Sequence, residues 1–270
     1  MSGPRPIIVG IVLVRNEDIH VRDSVRNIAS FCDKILLCDH GSTDGTRKIL
    51  GELAEKIPHA SVHLLRHPRE SHDLLQAFVG TNAWIFGVDG DEIYDPALLE
   101  VFRPRFLDGE FSRVWRMKGN VLHCTAIDPE IRTATGYMAP PSRSITKLYN
   151  FSAIEAWDGD TFERLHGGKI RFKTGFCDGD KRNFQERLGW NETPLRCLHV
   201  CFLRRSSSEP LAAAGEARKN IVEIYRSGRL ASLLRPLARF LRLNGASRWK
   251  RDYYRQGPLA TVDIHPFFPQ

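Results

Sequence analysis

The sequence predicts an α/β protein with a mostly parallel central sheet flanked by helices, and three observations point to it. Through the first hundred residues, short β-branched apolar runs alternate with patterns of helical period. Those runs are almost solid hydrophobe, as strands buried on both faces are. Three of them end in polar and acidic clusters, and open sheets of this kind bind ligands at the carboxyl ends of their strands.

Strands are predicted at residues 7–14, 34–38, 61–65 and 83–88, with amphipathic helices at 18–31, 44–57 and 69–80 between them. A helix over 96–106 leads to a strand at 111–117. Residues 119–143 are polar, include Pro129, Pro140 and Pro141, and show no clear period, which predicts a lid or substrate loop. Strands resume at 144–151, 169–173 and 195–203. Two helical patterns, 210–226 and 229–243, precede an aromatic and proline-rich end.

With 42% hydrophobic and 26% charged residues over 270 positions, the chain is neither disordered, collagenous nor of low complexity. Its formal charge of +7 is unevenly spread. Residues 218–255 hold eleven Lys/Arg and two Asp/Glu, a local +9, so the remainder carries −2. The apolar run at 7–14 is far short of the ~20 residues that span a bilayer. It lacks a small-residue cleavage site and runs straight into Arg15-Asn16-Glu17-Asp18, which predicts a cytoplasmic protein without a targeting segment. The six cysteines predict free buried thiols; Cys197-x3-Cys201 is not a zinc spacing. In the basic region Leu230, Leu233, Leu234, Leu237, Phe240 and Leu241 share one helical face and Arg235, Arg239 and Arg242 another, with a kink expected at Pro236. That pattern suits either packing on the main domain or peripheral contact with the inner face of a membrane.

The polar clusters carry the chemistry. Asp89-Gly90-Asp91 follows a buried run and places two carboxylates two residues apart around a glycine, a donor pair suited to Mg²⁺ or Mn²⁺ shared with a diphosphate. Asp158-Gly159-Asp160 and Asp178-Gly179-Asp180 repeat the tripeptide without that context, and the last reads as a turn. In Asp39-x-Gly41-Ser42-x-Asp44-Gly45-Thr46 the glycines allow a tight turn and Ser42 or Thr43 can cap the next helix. Asp39, at the strand tip, is poorly placed for capping and well placed to accept from a ribose or a base. No phosphate-cradling P-loop is present. His199, in an apolar strand pattern, is either a core histidine or a metal ligand. Arg204 and Arg205 read as solvated charge, with a diphosphate as the other destination.

Val14-Arg15-Asn16-Glu17, the Asp39–Thr46 loop and Val88-Asp89-Gly90-Asp91-Glu92, in this order and spacing, resemble the nucleotide-sugar-binding half of family 2 glycosyltransferases, which have the Rossmann-like GT-A fold. The resemblance covers roughly residues 7–100, and more loosely 145–205. It implies a GT-A domain over 1–205, with a donor half at 1–118 and an acceptor half at 119–205, followed by a basic helical extension over 206–270. It implies that Arg15, Asn16, Glu17, Asp39, Gly41, Ser42, Asp89 and Gly90 bind the nucleotide-sugar, and that Asp89, Asp91 and His199 hold Mg²⁺ or Mn²⁺. The implied reaction moves a sugar, with inversion, from a nucleoside diphosphate, first a UDP-sugar, to a saccharide, lipid-linked or small-molecule acceptor. A carboxylate base is expected in residues 157–168: Glu163, then Asp160, then Asp158, each with a solvated turn or surface ion pair as its alternative. His166 is a lesser alternative ligand. Arg15 and His40 depart from the family's usual Lys and Asp or Asn. Two other classes fit parts of the sequence: a nucleotidyltransferase using the same carboxylates, and a nucleic-acid binder using the basic segment, against which the acidic crevice argues.

Overall fold

The structure, a computed structural model, describes residues 5–210, 218 and 250–269. In chain order the strands and helices are β1 (Ile7–Val14), α1 (Val21–Arg26), β2 (Lys34–Asp39), α2 (Thr46–Lys56), β3 (Ala60–Leu64), α3 (Glu70–Asp73), β4 (Ala83–Asp89), β5 (Glu92–Tyr94), α4 (Pro96–Leu107) and β6 (Arg116–Lys118). They continue with β7 (Val121–Asp128), β8 (Thr133–Ala139), β9 (Thr146–Asn150), β10 (Ile154–Glu163), β11 (His166–Phe172), β12 (Lys181–Asn183), β13 (Cys197–His199) and β14 (Leu259–Asp263).

Seven strands form the large sheet in the order β12-β6-β9-β4-β1-β2-β3, with β1 to β4 mutually parallel and β9 antiparallel to β4. The pleat of β1 explains its solid hydrophobicity. Ile8, Val12 and Val14 enter a core shared with Val25, Leu50, Phe86 and Phe102 on one face, while Val9, Ile11 and Leu13 enter another with Trp115 and Trp157. α1, α2 and α4 cover the first face. The second is covered differently from expectation, since the helix predicted at 69–80 reduces to α3 and a 3-10 turn at Gln76–Phe78. The β10–β11 hairpin fills that space with Trp157, Ile170 and Phe172. The helix predicted at 18–31 is likewise regular only over α1; from Ile28 onward its hydrogen bonds become i→i+3. α4 starts where Asp95 accepts from the Leu98 N–H at 3.1 Å and Pro96 takes the first turn.

A second sheet has the order β14-β8-β7-β13-β5 and encloses Ile93, Leu122, Leu198, Ile264 and Phe267. The loop expected at 119–143 is therefore a β-hairpin. Its period is masked because β8 points small residues inward, Ala134, Gly136 and Ala139, where the sequence pattern asks for large ones. Gly136 leaves no room for a Cβ against the His123–Cys124 backbone. The strand expected at 195–203 shortens to β13, and Cys197 and Cys201, both free and buried, do not share one strand. Part of the segment expected as a helical extension is also a strand, since β14 pairs with β8 and the Asn27 amide donates to the Phe267 carbonyl at 2.7 Å. The helices expected at 210–226 and 229–243 lie outside the described residues, save Pro210 and Arg218. Among the described residues no helix is long and apolar enough to cross a membrane.

Phe267 is fully buried between the second sheet and Trp190. Phe267→Ala is expected to cost about 3–5 kcal/mol, the usual range for deleting a buried aromatic ring, read as a lowered midpoint in urea unfolding at unchanged slope.

Candidate active site

Parallel register brings the polar strand ends together: Val14 lies beside Asp39 and Leu13 beside Asp89. β4 ends at Asp89 in the large sheet and β5 begins at Glu92 in the second, so Gly90-Asp91 is the passage between sheets. At Gly90 a Cβ would come within 2.7 Å of Val14 and 2.9 Å of Glu17, which is why a glycine stands at this close approach.

The first two loops are cross-linked. Asn16, in the left-handed region at φ +57°, donates its N–H to Ser42 Oγ at 2.9 Å and accepts the Thr43 N–H at 2.7 Å. The Glu17 N–H donates to Thr46 Oγ1 at 2.8 Å. Asp39 is fully buried and does not cap α2; it accepts the Ser42 N–H at 3.1 Å and Arg47 Nε at 2.7 Å. It closes an Asx-type turn whose bend uses Gly41 at φ +93°. Arg15 is exposed. His40 is buried, and burial, with Arg15 adding, depresses its pKa to about 4.

The acidic tripeptide is held from beneath by a buried ion pair. Glu92 Oε1 meets Lys147 Nζ from β9, neither side chain more than 1% exposed, while Glu92 Oε2 accepts the Asp89 N–H at 3.2 Å and the Tyr94 hydroxyl at 3.3 Å. Asp89 keeps 43% of its side chain exposed and bonds Arg164. Asp91 is buried, bonds Arg205 and lies 3.5 Å from His199 Nε2. His199 Nδ1 stands 2.9 Å from His123 Nδ1. Burial drives the His199 pKa down, but Cys201 and Asp91 outweigh it and raise it well above the ordinary value. Glu17 is 3.1 Å from Arg218 and 3.5 Å from Arg205, and its Oε2 is buried without a hydrogen-bond partner among the described residues. Burial pushes its pKa up to about 8, with Asp91 and Asp89 adding to the rise and Arg205 and Arg218 opposing it.

The three carboxylates expected as bases separate cleanly. Asp158 and Asp160 are exposed, Asp160 98% so and only 3.8 Å from Arg69. Glu163 is buried at the β10–β11 turn, 2.5 Å from His166 Nδ1 and 3.1 Å from Arg164 Nη1. Burial would raise its pKa, but Arg164 and His166 outweigh it and hold it at about 2. Arg164 thus bridges Asp89 and Glu163. The third tripeptide is a turn, with Asp180 accepting the Cys177 N–H at 2.7 Å.

A carboxylate and an imidazole are donors that suit Mn²⁺, and the carboxylate also Mg²⁺; Asp89 is turned to Arg164 instead, and among the described residues the three ligand atoms that gather within 4.8 Å are those of His123, His199 and Cys201. Asp91 and His199 lie about as far apart as neighbouring ligands of one ion, and the unpartnered Glu17 Oε2 nearby leaves a buried acceptor unmet, so the residues fit a divalent cation. Sequence reasoning did not single out His123, Lys147, Arg164 or Arg218. It took Arg205 for solvated charge, whereas that side chain is 11% exposed and ion-paired. Isolated basic residues beyond residue 140 carry no periodic or motif signal; only their pairing in space identifies them.

No protein-family model matches the chain, and no curated protein matches it in sequence. Similar solved structures include S. aureus TarS 1–349, at 15% identity and TM-score 0.35 over 54% of this chain and 48% of that one. Another is the Mycobacterium tuberculosis glucosyl-3-phosphoglycerate synthase in complex with Mn²⁺, UDP and glucosyl-3-phosphoglycerate, at 19% identity and TM-score 0.32 over 44% of each chain. A third is the mannosyltransferase PcManGT from Pyrobaculum calidifontis in complex with GDP-Man and Mn²⁺, at 15% identity and TM-score 0.39 over 92% of this chain and 68% of that one. The chain spans less than half the length of the first two.

The raised pKa of Glu17 has a consequence for stability. A carboxyl whose folded pKa exceeds its unfolded one contributes stability at low pH that is lost as pH rises through the folded value. Wild-type protein should therefore lose stability between about pH 4.5 and 8, the window set by the two Glu17 values. Glu17→Gln should flatten that loss, melting several degrees higher than wild type at pH 8 and equally at pH 4, as read by thermal scans across pH.

Proposed function

We propose that the chain is a GT-A-type glycosyltransferase, related to family 2, that moves a sugar from a nucleoside diphosphate to an acceptor hydroxyl with inversion. One observation carries the reading: parallel register sets Arg15–Glu17, Asp39–Ser42 and Asp89–Asp91 in one row at the carboxyl end of the sheet, with Glu163 one guanidinium away. In this reading the first two loops, from Arg15 to Ser42, hold the nucleoside, a uridine in the first instance, and Asp89 and Gly90 meet the ribose. Asp89, Asp91 and His199 hold Mn²⁺ or Mg²⁺, which when bound supplies positive charge against the leaving diphosphate. The acceptor is a saccharide, a lipid-linked or a small-molecule hydroxyl.

Proton removal uses Glu163 together with His166. A carboxylate held at about 2 is a weak proton acceptor by itself, but its contact with His166 Nδ1 orients the ring and stabilises its cation. The acceptor O–H gives its proton to His166 Nε2 while Nδ1–H stays donated to Glu163. The acceptor oxygen forms the new bond to the anomeric carbon, the bond to the diphosphate oxygen breaks, and the leaving diphosphate takes the electron pair. With 53% of its side chain exposed, His166 is open to an acceptor arriving from solvent.

Thermal shift with UDP, GDP and dTDP, each with and without Mn²⁺, tests the reading. At least one nucleotide should raise the melting temperature in a Mn²⁺-dependent way, and Asp91→Ala should abolish that dependence; no response to any of the three would sink it. Glu163→Gln should keep nucleotide binding and lower turnover of the donor by about 10²–10⁴-fold. Burial acts to lower the His166 pKa, but Glu163 outweighs it and raises it above 6.5. The ring must be neutral to accept a proton, so the rate should rise with pH through a midpoint above 6.5. A lone carboxylate base would put that limb below about pH 5.

A further inference from the structure

We infer that His123 is a positioning residue that holds a hydrogen on His199 Nδ1 and so keeps Nε2 as the ring nitrogen that faces Asp91. The inference rests on the proposed role of Asp91 and His199 as ligands of a divalent cation, and it follows from a chain of hydrogen bonds with one consistent direction. His123 on β7 and His199 on β13 are directly paired across two parallel strands, and both are buried. His123 Nε2 lies 3.0 Å from the Arg143 carbonyl oxygen. A carbonyl only accepts, so Nε2 carries the hydrogen. In a neutral ring Nδ1 is then the acceptor, and its neighbour at 2.9 Å is His199 Nδ1, which must donate. That leaves His199 Nε2, 3.5 Å from Asp91 Oδ2, as the ring nitrogen beside the carboxylate and the one that a bound cation would take. The opposite direction would set the His123 Nε2 lone pair against the Arg143 carbonyl oxygen in a buried place, a costly arrangement.

Two further contacts hold the relay in place. The Arg143 N–H donates to the Tyr253 carbonyl at 2.8 Å, tying down the loop whose carbonyl starts the chain. The Tyr254 ring stacks on His123 with centroids 4.2 Å apart and planes at 16°, and meets His199 edge-on at 5.3 Å. Hydrogen-bond partners of this kind orient metal-ligating histidines, and removing one typically weakens metal binding 10–100-fold. Cys201 also lies near, with His123, His199 and Cys201 ligand atoms within 4.8 Å of one another. The 2.9 Å between the two Nδ1 atoms is a hydrogen-bond separation, so the relay takes precedence over a thiolate site.

Mn²⁺ affinity, read by electron paramagnetic resonance of the free ion with UDP present, tests the relay in the full chain. His123→Leu should weaken binding by about 10–100-fold. His123→Asn, whose side-chain oxygen stands where Nδ1 stood, should recover most of it, which a purely structural role would not explain. Wild-type affinity in His123→Leu, or no recovery in His123→Asn, would overturn the inference. Nitrogen-15 shifts of the wild-type rings should show a hydrogen on His199 Nδ1 and on His123 Nε2 and none on His123 Nδ1; a His199 Nδ1 without a hydrogen overturns it even if the variants fail to fold. If wild type binds no Mn²⁺ that Asp91→Ala removes, the metal reading fails, and the ring-nitrogen shifts still decide the relay. Zn²⁺ uptake that needs Cys201 and not Asp91 would place the metal on the other side of His199 and overturn the inference.

Discussion

Lys147 and Glu92 face each other across the junction of two sheets, and the candidate site is built on that contact. An ammonium and a carboxylate taken out of water each lose several kcal/mol of hydration, so the pair survives burial only because its remaining bonds are met. Glu92 meets them by accepting the Asp89 N–H and the Tyr94 hydroxyl. Both come from the segment that passes from β4 to β5. The pair therefore sets where Asp89 and Asp91 stand, and through β5 it also sets the edge on which β13 brings in His199. Removing one partner would leave a buried charge uncompensated, at about 3–5 kcal/mol.

Around this anchor the charges alternate. Asp89, Asp91 and Glu17 are met by Arg164 from the β10–β11 turn, Arg205 from the segment after β13, and Arg218. Each cation reaches the row from a different part of the chain, so the site exists only when the large sheet, the hairpin and the second sheet are all docked. On the proposed reading, a diphosphate arriving here finds guanidinium groups already desolvated and held, with little reorganisation left to make.

Legibility in the sequence followed the range of the interactions. β1, β2 and β4 were readable because strands buried on both faces must be almost wholly apolar, and their polar tips stand out against that background. The tripeptide was readable by its context: of three copies, one follows such a strand. The β7–β8 hairpin was not, because inward-facing Ala134, Gly136 and Ala139 are too small to register as an apolar stripe. The bonds of Asp39 to Ser42 and Arg47 were not legible, because nothing in its neighbours tells that the carboxylate turns back to them. His123 and Arg164 acquire meaning only from partners 76 and 75 residues away, a distance over which spacing carries no information.

The pairing of β14 with β8 changes what kind of object the basic segment is. Before it, Ser206 and Ser207 bond Asp44 and Asp18 beside the first two loops. At its end, Tyr254 packs on His123. The described residues on either side of the basic segment are thus both fixed beside the same crevice, so a change in either stretch reaches the site directly.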